Sequence, residues 1–254
     1  MTKYYFVVSA LPPIQLGMPP ELSFKELREL VAQNLTARDF RQFNLLLEQV
    51  DIYNVKALWL GLPLDERGTI LGKELEEALL VSGKLPTYVN DFVERYETID
   101  DRLRYFSSLY VSMYQQKREG FLATYYAFER EVALVLTALR AKKTGRNIVR
   151  ELQFEDPYDP LIADILSQKD APDYIPPMEY EDLKAIFVEN SSDSRKLYEN
   201  ILKYRFKKIG EWSENEHFTL GRILAYAARL LIGEKVMEVS EVDSKVAIEN
   251  LSNG

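Results

Sequence analysis

The 254-residue sequence predicts an all-α fold of stacked helical hairpins,. Three observations carry that expectation. Gly and Pro together number 22, about 9% of the chain, below the usual ~12%. Leu, Glu, Lys, Arg and Ala, the strong helix formers, are frequent,. Apolar residues recur at i, i+3 and i+4 in one segment after another, and no low-complexity linker interrupts them,.

The elements follow in chain order. Tyr4 to Ala10 is aromatic and β-branched, and fits a short strand or a buried helical turn equally,. Pro12, Pro13, Pro19 and Pro20 then enforce an extended connection,. Ser23 with Glu26 is a capping-box pattern ahead of the Leu27, Leu30, Val31 face,. Thr36 with Asp39 starts a second helix, with Phe40, Phe43, Leu46, Leu47 and Val50 as its apolar set. It runs on, or restarts at Asp51, through Val55, Leu58 and Trp59, until Gly61 and Pro63 stop it,.

Further helices are expected over Thr69 to Val81, from Pro86 as first helical residue through Tyr96, and over Asp100 to Lys117,. Gly120 breaks the last of these. Phe121 to Lys143 is strongly apolar and ends at Gly145; Phe128, Val132, Val135, Leu136 and Leu139 should be buried. Short turns and a helix over Leu161 to Ser167 follow. Tyr180 to Glu189, Arg195 to Ile209 and Phe218 to Ile232 complete the set. Residues 1–233 read as one helical domain. Residues 234–254 read as an acidic tail whose last fifteen or so residues are loose,.

Composition excludes whole classes of chemistry. There is no Cys, so there is no disulfide, thiolate nucleophile or Cys-ligated zinc,. A single His rules out a three-His metal site within one chain. No run of about 18 apolar residues exists,. The Tyr4 to Val8 run is too short for a signal peptide, so a soluble cytoplasmic chain without membrane insertion is expected. A net charge of −8 and a pI near 5.0 lean away from nucleic acid,.

The candidate sites each have a plainer explanation beside them. Glu214 to His217 has a Glu-x-x-His spacing, but the one His is then used and a second pair cannot exist,. Asp100 and Asp101 resemble a magnesium-binding acidic pair, yet their place at a helix start explains them through the macrodipole,. Phosphate-loop, dinucleotide and nucleophile-elbow motifs are absent,. No cofactor or metal is expected, and no enzyme.

Two basic clusters remain. Arg140, Lys142, Lys143 and Arg146 close a helix and complement its dipole, with partner docking as the sharper reading,. Lys203, Arg205, Lys207 and Lys208 alternate with Tyr204 and Phe206, and here docking and plain surface weigh about evenly,. Asp51 and Asn54 share one helix face, as an N-cap beside a solvated Asn or as a buried polar pair that fixes how two helices meet,.

The tract Asp51-x-x-Asn54-Val55-Lys56-Ala57-Leu58 resembles a D-x-x-N-[apolar]-K-x-[apolar] helix of the C-type (also called d-type) subunit of V-type and archaeal-type ATPases. Phe128 to Lys142 is similar to that family's second such helix, which often ends in L-R-A-K; Glu131 stands where Asp is usual and Leu134 where Asn is usual. Phe218 to Ile232, with Leu224-Ala225-Tyr226, is loosely similar to the third. The spacing fits three related units: 80 residues from Asp51 to Glu131 and 85 from Glu131 to Glu216.

The opening Tyr4 to Pro12 looks still more like a bacterial family encoded within V-type ATPase operons of Bacteroidetes and Chlamydiae, a divergent counterpart of that C-type protein. The resemblance implies a non-catalytic rotor adaptor built of pseudo-repeated helical units. It would receive the central stalk, sit on the membrane rotor ring at the inner face of the membrane, and pass torque between them. A stand-alone helical scaffold that binds other proteins is the alternative from a different class.

Overall fold

The computed structural model describes residues 3–81, 83–214 and 216–252, with side chains as far as residue 240. Helix accounts for 68% of the chain, and no strand occurs among the described residues. The all-α expectation therefore holds, and the Tyr4 to Ala10 segment is a helical turn.

Among the described residues fourteen α-helices follow in order: α1 Tyr5–Ser9, α2 Phe24–Asn34, α3 Ala37–Leu45, α4 Glu48–Trp59, α5 Gly72–Leu80, α6 Thr87–Arg95 and α7 Ile99–Arg104. Then come α8 Phe106–Tyr114, α9 Gly120–Thr144, α10 Ile148–Glu151, α11 Pro160–Ser167, α12 Glu181–Asn190, α13 Ser194–Ser213 and α14 Leu220–Ser252.

The starts are set by side chains that take up orphan backbone N–H groups. Ser23 and Glu26 form the full capping box of α2, with the Ser23 N–H donating to Glu26 Oε2 at 2.8 Å. Thr36 Oγ1 accepts the Asp39 N–H at 3.2 Å, one residue ahead of α3. Thr98, Asn147, Asp159 and Asp193 cap α7, α10, α11 and α13 in the same way. Asp101 belongs to the Thr98 cap, its carboxylate accepting the Thr98 hydroxyl at 2.8 Å.

Several boundaries differ from expectation. The Asp100 to Lys117 stretch is two helices, α7 and α8, parted at Tyr105. Pro86 is the N-cap of α6 rather than its first residue. Thr69 lies outside α5, because Asp51 binds it instead. α14 does not stop at Gly233; it continues to Ser252. A Cβ on Gly233 would come 3.4 Å from Ile14 Cγ2, an ordinary contact, so the glycine lies beside Ile14 within the helix and does not end it. The start of the expected acidic tail is thus helix: Val236 is buried, and Glu234 accepts the Phe24 N–H at 2.7 Å. The side chains of the expected loose end lie outside the described residues.

The chain groups into two compact units. One comprises residues 1–40, 131–146 and 170–254. In it α13 and α14 pack as a hairpin, α12 packs on α13, and α1 and α2 pack on α14. Leu27, Val31, Leu202, Ile209, Ile223 and Leu230 are buried there, and Ala225, Ala227 and Ala228 let backbones approach α14 closely,. The first residues are tied to the start of α14. Phe218 takes a left-handed φ of +53°, its carbonyl accepts the Tyr4 N–H at 2.7 Å, and its ring lies 4.7 Å from that of Tyr5.

The other unit comprises residues 41–130 and 147–169. Its α4, α6, α7 and α8 pack together around an aromatic cluster. Trp59, Phe92 and Phe106 have centroids 6.0–6.3 Å apart, and Phe92 meets Tyr96 at 4.9 Å. The first half of α9 adds Tyr126, whose hydroxyl donates to the Leu45 carbonyl at 2.7 Å. Phe43, Leu46, Leu47 and Phe128 are buried in this unit, and Val132, Val135, Leu136 and Leu139 are buried in the first, as their spacing predicts.

Candidate functional site

On α4 the two polar residues hold a loop. Asn54 is fully buried, with 0% exposure. Its Nδ2 donates to the Asp65 carbonyl at 2.9 Å, and its Oδ1 accepts the Asp65 N–H at 2.7 Å, so one amide satisfies both backbone groups of one residue,. One turn earlier, Asp51 accepts the Thr69 N–H at 2.6 Å and the Thr69 hydroxyl at 2.7 Å. Asp65 in turn takes the Arg67 guanidinium as a fork, at 2.7 and 2.9 Å,.

Between these contacts lies Gly68, where a Cβ would sit 2.5 Å from Asn54 Nδ2 and 3.0 Å from Asp51 Oδ1. Only a glycine fits without displacing the pair. α4 begins at Glu48, so Asp51 is not its N-cap and Asn54 is not solvated. The pair is a polar constellation with Asn54 buried and Asp51 half-buried, and it fixes the loop before α5 onto α4 and not the meeting of two helices.

The second tract behaves differently. Glu131 accepts the Tyr180 hydroxyl, and burial with this bond pushes the phenol well up from its ordinary value. Leu134, at the place of the usual Asn, is buried apolar core. Beside them Arg130 forks to Glu155 at 2.7 Å and reaches Asp159 at 2.9 Å. Burial works to raise the Asp159 carboxyl, but the Arg130 bonds and the α11 N–H groups outweigh it and hold the carboxyl below its ordinary value,. Near the third tract Glu216 accepts the Thr219 hydroxyl and crowds Gly221.

The Lys203 to Lys208 stretch lies on α13, and here the docking expectation needs correction for the rings. Tyr204 and Phe206 are buried, so they pack inward and do not face a partner. An α-helix turns about 100° per residue, so alternation with cations does not put two rings on one outer side. Lys203 pairs with Glu199 at 2.5 Å and Lys208 with Glu211 at 3.7 Å, both within α13. Lys207 is exposed and Arg205 half-buried. What remains of the expected surface is cationic and not aromatic.

At the end of α9, Lys142 donates to the Ala171 carbonyl at 2.6 Å, and Lys143 donates to the carbonyl of Ser191, the C-cap of α12. Cations at helix ends complement the dipole. Arg140 and Arg146 are exposed. Gly145 takes a left-handed φ of +67° as the chain leaves α9.

One constellation carries no sequence signal. Arg118 pairs with Glu48 with both side chains nearly buried, and its guanidinium lies 3.7 Å from the Tyr126 ring centroid. It also donates to the Met113 carbonyl at 2.8 Å, closing the end of α8. Burial raises the Glu48 carboxyl above its ordinary value despite the arginine,. The partners stand 70 residues apart, beyond any local pattern.

Among the described residues no helix is long and apolar enough to cross a membrane, and no group of three or more His, Asp or Glu side chains converges as for a metal ion. No solved structure matches the chain. A Chlamydia muridarum protein described as uncharacterized is 29% identical over 263 residues, covering 100% of this chain and 99% of the relative. A Chlamydia trachomatis protein, described likewise, is 28% identical over the same coverage. A third, from Chlamydia pneumoniae, is 29% identical over 237 residues, 90% of this chain and 89% of the relative. A family signature described as "Protein of unknown function (DUF2764)" matches residues 1–253, and the chain belongs to that family.

Proposed function

We propose that this chain is a non-catalytic rotor adaptor of a V-type ATPase, coupling the central stalk to the membrane ion-carrying ring. It would act from the cytoplasm, peripherally at the inner face of the membrane. The observation that carries the reading is the Asp51-x-x-Asn54 tract. The residues that resemble the C-type adaptor are the ones that clamp a loop onto α4 through four hydrogen bonds. A torque-bearing part needs loops that do not yield, and a hydrogen-bonded polar network centred on the buried Asn54 supplies that stiffness,. The chlamydial relatives agree with one of the two lineages named with the resemblance.

The test is co-purification. The tagged full-length chain, expressed in its native organism, is expected to bring down central stalk and ring proteins of the V-type enzyme. Recovery of the intact enzyme without the tagged chain, at matched expression, overturns the proposal.

A further inference from the structure

Arg222, Tyr226 and Arg229 stand at i, i+4 and i+7 on α14 and share one face of it,. Arg222 donates through Nη1 to the Ser213 carbonyl and hydroxyl, both at 3.0 Å. The Arg229 guanidinium lies 4.0 Å from the Phe206 ring centroid, and a Cβ on Gly210 would meet its Cζ at 3.5 Å. The two charged ends thus rest against Ser213 and Gly210, three residues apart on α13, a rise of about 4.5 Å.

Neither guanidinium pairs with a carboxylate among the described residues. Arg229 Nε and the Tyr226 hydroxyl are buried and hydrogen-bond to nothing described. Burial first, and then the Arg222 charge, lowers the Arg229 guanidinium from its ordinary value. Arg222 gains from the carbonyl end of α13 and Arg229 from the ring, but neither contact neutralises a charge. Two adjacent, partly desolvated cations without a counter-charge are costly, and a bound anion offsets that cost.

We propose that Arg222 and Arg229 together hold one oxyanion of the phosphate class. The Phe206 ring offers the Arg229 guanidinium no oxygen acceptor, and Nε is left to donate,. A carboxylate offers two oxygens on one side. A phosphate group offers at least three acceptors in three directions, which suits two guanidiniums whose ends rest against residues three apart on α13,. The site lies within one unit and stands apart from any rotor role.

Calorimetric titration of the full-length chain tests this, in a buffer free of other oxyanions. Inorganic phosphate is the probe in one arm and glycerol 3-phosphate in a second, which separates a free ion from an ester; acetate is the third. Saturable one-to-one binding of at least one phosphate probe is expected, weakened about tenfold in Arg229→Gln and in Arg222→Gln. Circular dichroism melting checks that the variants fold. If Arg229→Gln does not fold, Arg229→Lys keeps the charge without the fork and should still bind several-fold more weakly. No saturable binding at millimolar phosphate overturns the proposal. So does unchanged affinity in the folded Arg229 variant, and so does acetate binding as tightly as phosphate.

Discussion

α4 and α13 each carry a stretch of mixed polar and apolar residues, and they resolve it in opposite ways. On α4 the polar residues go inward: Asn54 is buried, and it and Asp51 bond to a loop outside their own helix. On α13 the rings go inward while Lys203 and Lys208 pair with carboxylates of the same helix. The difference lies in where the bonds lead. A polar side chain that satisfies the backbone of another segment is structure, whereas a cation paired within its own helix adds little.

The largest effect is expected on α13. Phe206→Ala should cost about 3–5 kcal/mol of unfolding free energy in urea. A cost under about 1 kcal/mol would put the ring on the surface and restore an aromatic docking strip. Asn54→Ala comes next, at about 2–3 kcal/mol, since it strands the Asp65 N–H and takes from the Asp65 carbonyl one of its two donors,. Gly68→Ala should lose about 1–3 kcal/mol by forcing a methyl into that same amide,. A neutral Gly68→Ala would mean that the loop yields, and the stiffness a rotor adaptor needs would go with it.

Asp159 offers a third case, for it caps its own helix α11 and also bonds to Arg130 outside it. Its carboxyl is held below the ordinary value, so its stabilisation is present above that value and is lost as pH falls through the lowered one,. Melting temperatures of Asp159→Asn and the parent chain should therefore differ at neutral pH and converge in acid. A gap that stays constant with pH would assign the effect to packing. The smallest stability effect belongs to Lys203→Glu with Lys207→Glu, within about 0.5 kcal/mol. On the rotor reading the same pair should slow association with V-type stalk or ring components in low salt. An unchanged rate would remove this cationic strip from the contact and turn attention to Arg140 and Arg146.

Helix identity was legible because it rests on local rules. The Ser23–Glu26 box and the 3.6-residue spacing of Phe128 to Leu139 need only neighbours in sequence. Helix ends were less legible wherever a distant residue decided them. Thr69 looked like a helix start until Asp51 claimed its N–H, and Gly233 looked like a stop although Ile14 packs on it. The Asp51–Asn54 pair was visible as a polar pair, but its partners Asp65 and Thr69 were not. Arg118 and Glu48 gave no sign at all, since nothing short of the fold brings residues 70 apart together.

The contact between Tyr4 and Phe218 has a consequence for how the chain is made. The neighbouring bond from Lys3 to the His217 carbonyl spans 214 residues. At 5–20 residues per second, a ribosome needs about 10 to 40 seconds to supply that partner. During that interval Tyr4 and Val7, buried in the finished molecule, have no α14 to pack against. The α1 turn thus cannot settle against α14 until that helix is made, and in the interval the nascent chain carries an apolar segment that a chaperone can hold.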